Sequence, residues 1–287
     1  MKNYDAVYKK LFSDKRMVES LLREFVHEDF VSDLDFSTLR QCSSTYVSKY
    51  LKQRLGDCVW EVQWQGKPLF LCLLIEFQRR PHPLMPVRIL TYTGLLWEDM
   101  CKGKKFKGKL PPVLPIVYYI GERPWKVSVS IEDMIEPVPE SLKKYLPTQR
   151  YFLLDAKHCK DVPGEGLVSQ LVRGEQVKKV DEIQSFLAKL SKLAGDNDEM
   201  NDMLLQWLSV TLASTVLDEA IKDSRTIGEV EMSMQPAFDR WAKEHEQIWR
   251  AEGREEGRAE GEAKGRAEGE AKGRAEGEAK GRAEGEA

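Results

Sequence analysis

Read from its pattern of apolar residues, the chain predicts a mixed α/β fold, and three stretches carry that expectation. Residues 57–64 alternate, with Trp60, Val62 and Trp64 on one face. Residues 69–75 form an unbroken apolar run without helical spacing, as expected of a strand buried on both faces. Residues 112–120 form a second such run, separated from the first by a helical pattern over residues 84–100. A buried strand divided from its predecessor by a helix is the mark of a mixed α/β sheet.

Taken in order, residues 4–27 read as helical. Tyr8, Leu11 and Phe12, then Val18, Leu21, Leu22 and Phe25, recur at helical spacing, with Ser13-Asp14 as a break and N-cap. Residues 30–55 combine a short strand (Leu34 to Leu39) with a polar loop. Gln65-Gly66-Lys67 supplies the hairpin turn, since Gly66 tolerates φ > 0. After residue 78 the two prolines Pro81 and Pro83 forbid helix. Residues 84–100 are the crossing helix, 101–109 a basic segment with five lysines around Phe106, and 121–125 a turn closing the 112–120 strand. Beyond 125, residues 126–165 read as loop with a short helix near 130–145. Residues 165–195 and 197–223 read as two amphipathic helices, and 236–250 as a last one. The expected division is a core at 1–125, a mostly helical region at 126–250 and a low-complexity tail at 251–287.

The hairpin brings charge to one end of the sheet. Side chains two apart share a strand face, so Glu76 and Gln78 point the same way. If the turn is Gln65-Gly66, residue 64 pairs with 67 and residue 57 with 74. If it is Gly66-Lys67, residue 57 pairs with 76. Either puts Asp57 on the face of Glu76 and Gln78, whereas a three-residue turn puts it on the other. Two carboxylates at the end of a buried sheet repel and lose hydration, so they need compensation. A divalent cation with oxygen ligands supplies it, as does an ion pair from Arg79 or Arg88.

Composition narrows the class. Seven Trp, nine Tyr and ten Phe in 287 residues suit a packed globular protein, and the sequence has no 18-residue uncharged apolar stretch for a membrane span. The first residues lack the apolar core of a signal peptide. Five cysteines, Cys42, Cys58, Cys72, Cys101 and Cys159, without a CxxC spacing, are expected as reduced thiols in a cytoplasmic protein. The tail's 11 Glu against 8 Lys and Arg account for the whole net charge of −3. Nucleic-acid binding would therefore depend on local patches. Within the tail an octapeptide recurs from residue 258, with nine glycines at every fourth position from Gly253 to Gly285. A lone helix there would lose about 9 kcal/mol relative to alanine. The charge pairs four apart return only ~0.2–0.5 kcal/mol each. The isolated tail is expected to be disordered; alternatively, its glycine stripe lets helices approach closely in an oligomer.

Several motifs together resemble the Rpn (YhgA-like) family of recombination-promoting nucleases, also known as transposase relatives, within the PD-(D/E)XK superfamily. Tyr4–Phe12 (YDAVYKKLF) is similar to the family's opening His-Asp-x-x-Phe-Lys-x-Leu-Phe, with Tyr4 in place of the frequent His. Arg54–Trp60 carries its Arg-x-x-Asp strand, Ile75–Gln78 its Glu-x-Gln, Met85–Tyr92 its Pro-x-Arg-x-x-x-Tyr helix, and Pro112–Trp125 its apolar strand and turn. The resemblance covers most of residues 1–250, and a Gly/Glu/Arg-rich tail is common there.

It implies a restriction-endonuclease-like mixed sheet flanked by helices, with a helical C-terminal region. It also implies a Mg²⁺-dependent DNA endonuclease acting in recombination or derived from a transposase, with Mn²⁺ or Ca²⁺ as substitutes. Asp57, Glu76 and the Phe77 carbonyl would hold the metal. Gln78, standing where most of the superfamily has Lys, would orient a water. Asp5 would complete the shell, its bland counterpart being a helix cap. Arg88 and Tyr92, four apart on one helix face, would hold the scissile phosphate or, in the structural alternative, pair with Glu76. Lys102 to Lys109 would touch the DNA backbone. Two other readings stand beside this one: a catalytically inactive DNA-binding or assembly module of the same fold, and a tail that is the working part, carried on a body that serves as an oligomerisation scaffold. A homo-oligomer would form through the C-terminal helices or tail.

Overall fold

The computed structural model describes residues 4–42, 59–76, 81–102, 108–177, 180–212, 220–236, 238–239 and 264. The side chains of Asp5, of residues 72–76 and of residues 180–181 are outside that description. One unit spans Met1–Met234; the second, Gln235–Ala287, is described only at Gln235, Pro236, Phe238, Asp239 and Lys264. The tail's expected disorder or oligomerisation therefore lies outside the described residues.

The expected break divides the first helical stretch into α1 (Tyr4–Leu11) and α2 (Lys15–Phe25). Asp14 is the N-cap of α2: its carboxylate accepts from the Arg16 amide at 2.8 Å and from the Arg16 guanidinium. At 11 residues, α2 is too short to persist by propensity alone. Its buried Met17, Val18, Leu21, Leu22 and Phe25 contribute roughly 10 kcal/mol of apolar burial, as an upper bound.

Five strands follow in the spatial order β1-β2-β3-β4-β5: β1 (Leu34–Gln41), β2 (Val59–Trp64), β3 (Lys67–Glu76), β4 (Val113–Tyr119) and β5 (Phe152–Asp155). The first three are antiparallel, and β3-β4 and β4-β5 are parallel. Helix α3 (Met85–Lys102) makes the crossover between β3 and β4. The β2-β3 turn is Gln65-Gly66, with Trp64 opposite Lys67 and both turn residues at positive φ (49° and 73°). That is the two-residue turn whose twist matches the flanking strands.

The pleat sorts side chains onto two faces. Trp60, Val62, Leu69, Leu71, Ile116 and Tyr118 lie on one face, beneath α1 and α2. Tyr8 of α1 and Phe12, just past its end, pack on Tyr118 with ring centroids 5.6 and 5.1 Å away, and the Trp60 indole donates to the Phe12 carbonyl at 3.2 Å. Val59, Phe70 and Val117 lie on the other, packed against Met85, Ile89, Tyr92 and Leu96 of α3.

Residues 126–165 depart from the loop expectation. They contain a one-turn helix α4 (Glu140–Lys143), but also the fifth strand. Four residues are too few for a strand period to register in sequence; the sheet edge of β4 imposes the extended form.

The single helix expected over 165–195 is two. Helix α5 (Leu167–Gln176) ends at Val177, which is extended at φ −58°, ψ 127°, and α6 (Val180–Ala194) follows. The apolar faces of the halves are buried against each other and against α7 (Asp198–Thr211), which one straight rod does not allow. At the join, Gly174 admits Trp207: a Cβ there would sit 2.3 Å from the indole. Helix α2 also serves α5. Glu24 accepts from the Ser169 amide at 3.1 Å, Ser20 from the Val168 amide at 2.8 Å, and this carboxylate complements the positive end of the helix. Of the expected helix over 197–223, residues 213–219 lie outside the described residues. The helix expected at 236–250 is preceded by helical residues 227–236, and 240–250 lie outside the described residues.

Candidate active site

The carboxyl end of β3 is where the sequence places its acids. The backbone of Glu76 pairs in parallel with Tyr119, and Tyr119 with Asp155, so three strand ends stand in register. The turn at Gln65-Gly66 is the first of the two registers that put Asp57 and Glu76 on a common face. Val59 pairs with Cys72, so odd positions of β2 share a face with even positions of β3. Asp57, Phe77 and Gln78 themselves lie outside the described residues, as do the side chains of Glu76 and Asp5. Asp5 belongs to the first turn of α1. No group of three or more His, Cys, Asp or Glu side chains suited to a metal occurs among the described residues. The expected ligands, two carboxylates and a carbonyl, are hard oxygen donors of the kind Mg²⁺ takes.

Arg88 and Tyr92 do meet. The Arg88 Nε donates to the Tyr92 hydroxyl at 3.2 Å, and its guanidinium carbon is 5.7 Å from the ring centroid. The Tyr92 ring is 5% exposed and belongs to the core cluster under α3. Its hydroxyl holds the Arg88 guanidinium near the start of the helix. In the basic segment, Lys102 is engaged by Glu98 at 3.0 Å and Asp99 at 3.3 Å, and residues 103–107 lie outside the described residues.

Two polar groupings escape a reading of spacing. The first is buried. Glu175 of α5 has a side chain only 3% exposed. It accepts from the Tyr8 hydroxyl and from Thr211 at 3.4 Å, and Lys157 stands 3.8 Å away. The Tyr8 hydroxyl in turn accepts from the Trp207 indole at 2.9 Å. Burial pushes the Glu175 carboxyl above its usual range, against the pull of Tyr8 and Lys157, and burial beside Glu175 raises the Tyr8 and Tyr118 phenols well above theirs. These residues come from α1, α5, α7 and the turn after β5, so no local spacing links them.

The second lies at the strand ends. Asp155, the last residue of β5, accepts from the Trp125 amide at 2.8 Å and bonds His158 Nδ1 at 2.8 Å. A signal existed for this one: Asp155 closes the apolar run Tyr151–Leu154 as Glu76 closes its own.

Comparison with known proteins bears on the whole arrangement. Residues 2–204 match a family described as "Putative transposase, YhgA-like". The chain is 29% identical over 132 residues to "Recombination-promoting nuclease RpnC" of Escherichia coli K12, covering 46% of this chain and 43% of that protein. It is 21% identical over 230 residues to "Recombination-promoting nuclease RpnD" of E. coli O157:H7, covering 72% and 87%. It is 24% identical over 155 residues to "Inactive recombination-promoting nuclease-like protein RpnE" of E. coli K12, covering 53% and 50%. The match thus spans half or less of RpnC and RpnE and most of RpnD. No solved structure matches the chain.

Proposed function

Because the chain belongs to the YhgA-like transposase family, we propose that it is a metal-dependent DNA endonuclease that promotes recombination, built on a restriction-endonuclease-like, PD-(D/E)XK core. The observation that carries the reading is the β2-β3 register, which gives β2 and β3 one common face leading to the strand ends where Asp57 and Glu76 are expected. The names of RpnC and RpnD support the activity. The sheet, with an antiparallel β1-β2-β3 meander and a helical crossover into a parallel β4, suits the proposed core.

In this reading Asp57, Glu76 and the Phe77 carbonyl hold Mg²⁺, with Asp5 as an added ligand. The ion supplies Lewis-acid charge for the phosphate and a water of lowered pKa. Gln78 carries no charge and is no general base; its amide orients the attacking water. Arg88, aimed by Tyr92, faces the phosphate oxygens.

The test is nicking of supercoiled plasmid with Mg²⁺ or Mn²⁺ by wild type, Asp57→Ala and Glu76→Ala. Loss of nicking in both variants, with folding retained, is expected. Nicking that persists in both removes these residues from the mechanism. A second reading has its own support, since RpnE is named inactive: a DNA-binding or assembly module without cleavage. Retention of duplex DNA with no cutting in any divalent metal would favour it.

A further inference from the structure

The parallel half of the sheet ends in a second built feature beside the proposed metal site. Positions 76, 119 and 155 are paired across β3, β4 and β5. Adjacent strands are ~4.8 Å apart, so position 155 stands about 10 Å from position 76 along the same edge. In sheets of this kind ligands bind outside the carboxyl ends of the strands.

The turn after β5 is held unusually well for a surface turn. Asp155 fixes His158 through Nδ1, and the same carboxylate takes the Trp125 amide. The Gln176 amide donates to the carbonyls of Ala156 at 2.6 Å and Cys159 at 2.9 Å, pinning the backbone on both sides of Lys157-His158. The 121–125 loop is pinned too, since the Tyr119 hydroxyl donates to the Arg123 carbonyl at 2.8 Å. Rigid backbone thus carries two outward groups, a guanidinium and an imidazole. The His158 side chain is 32% exposed, and its Nε2 makes no hydrogen bond among the described residues; Arg123 is exposed and has no ion pair among them. The acids around them are engaged: Glu122 by Lys157 at 2.6 Å, Asp155 by His158. Asp161 lies beyond, next to the exposed Lys160.

We infer that Arg123 and His158 form a phosphate subsite at the carboxyl ends of β4 and β5, which holds the DNA backbone beside the cleaved phosphate. An imidazole that donates Nδ1–H to Asp155 and carries a second proton presents Nε2–H outward to a phosphate oxygen, while Arg123 offers its planar fork. Such contacts set the register of the duplex on the enzyme without reading bases. This subsite rests on the endonuclease reading.

The test uses the full chain, a fluorescent duplex of about 25 base pairs, and Ca²⁺ in place of Mg²⁺. Affinity is followed by anisotropy from low to moderate salt, beside melting temperatures. Arg123→Ala and His158→Ala are each expected to weaken binding roughly fivefold, with Arg123→Ala lowering the salt slope by about one. His158→Arg, which restores a cation, is expected to recover most of the loss. Unchanged affinity and salt slope in both alanine variants would overturn the subsite while leaving the nuclease reading intact. Wild-type protein that neither binds nor nicks DNA removes that reading, and the subsite with it. Should His158→Ala fail to fold, Arg123→Ala decides, because its side chain is solvent-exposed.

Discussion

Tyr8→Phe removes one oxygen atom from the centre of the protein, and its cost follows from what that oxygen does. The Tyr8 hydroxyl gives a hydrogen to Glu175 and takes one from the Trp207 indole at 2.9 Å. Tyr8 and Trp207 are fully buried and the Glu175 side chain nearly so. In the phenylalanine variant the indole N–H is left as a buried donor without its acceptor, which costs about 1–3 kcal/mol. Glu175 keeps Thr211 and the Lys157 ammonium, so its loss is partial, on the order of 1 kcal/mol. Together the expected destabilisation is about 2–4 kcal/mol, a large fraction of the ~5–15 kcal/mol by which domains are stable. For a unit of this size that lowers Tm by roughly 5–12 °C. Urea unfolding followed by far-UV circular dichroism measures it, with wild type and variant compared at a common slope. A variant within about 0.5 kcal/mol of wild type would refute the reasoning, since that is the size of change expected where no buried partner is lost.

Three further outcomes are expected. Burial raises the Glu175 carboxyl above its unfolded value, so the folded state binds more protons than the unfolded one. Its contribution is fully present below pH ~4.5 and declines as pH rises through the folded pKa, and Glu175→Gln should lack that decline in stability-versus-pH curves. Gly174→Ala drives a methyl to within 2.3 Å of the Trp207 ring and 3.0 Å of Phe186, and should cost about 1–3 kcal/mol in the same urea assay. Burial pushes the Cys42 thiol up to about 12, so maleimide at pH 7.5 should label exposed Cys101 well before Cys42, read by peptide mapping.

What could be read from residues alone was what local period and punctuation encode. The alternation expected over 57–64 is a strand across its described residues 59–64, the apolar run ends at Glu76, the Ser13-Asp14 break caps a helix, and the helix expected over 84–100 spans 85–102. Gly66 announced the turn, although Gln65 also adopts positive φ, which its side chain does not advertise. The fifth strand was illegible because four residues cannot show a period and its conformation is imposed by β4. The α5-α6 break carries no Gly or Pro at Val177; it follows from packing. At the site, charges ending an apolar run were visible at Glu76 and, in retrospect, at Asp155. The Glu175 cluster was not, because its hydrogen-bonded pairs lie 36 to 199 residues apart and only the finished fold makes them neighbours.

That last distance has a consequence for synthesis. Helix α1 is made well before Trp207, which completes its hydrogen bonding and follows Tyr8 by 199 residues. At ~5–20 residues per second the ribosome needs about 10–40 s to deliver it. Through that interval the side of α1 that packs on α7 waits uncovered, a natural target for chaperones. Nascent chains arrested before residue 207 should be handled by the cell as unfinished, however complete their sheet.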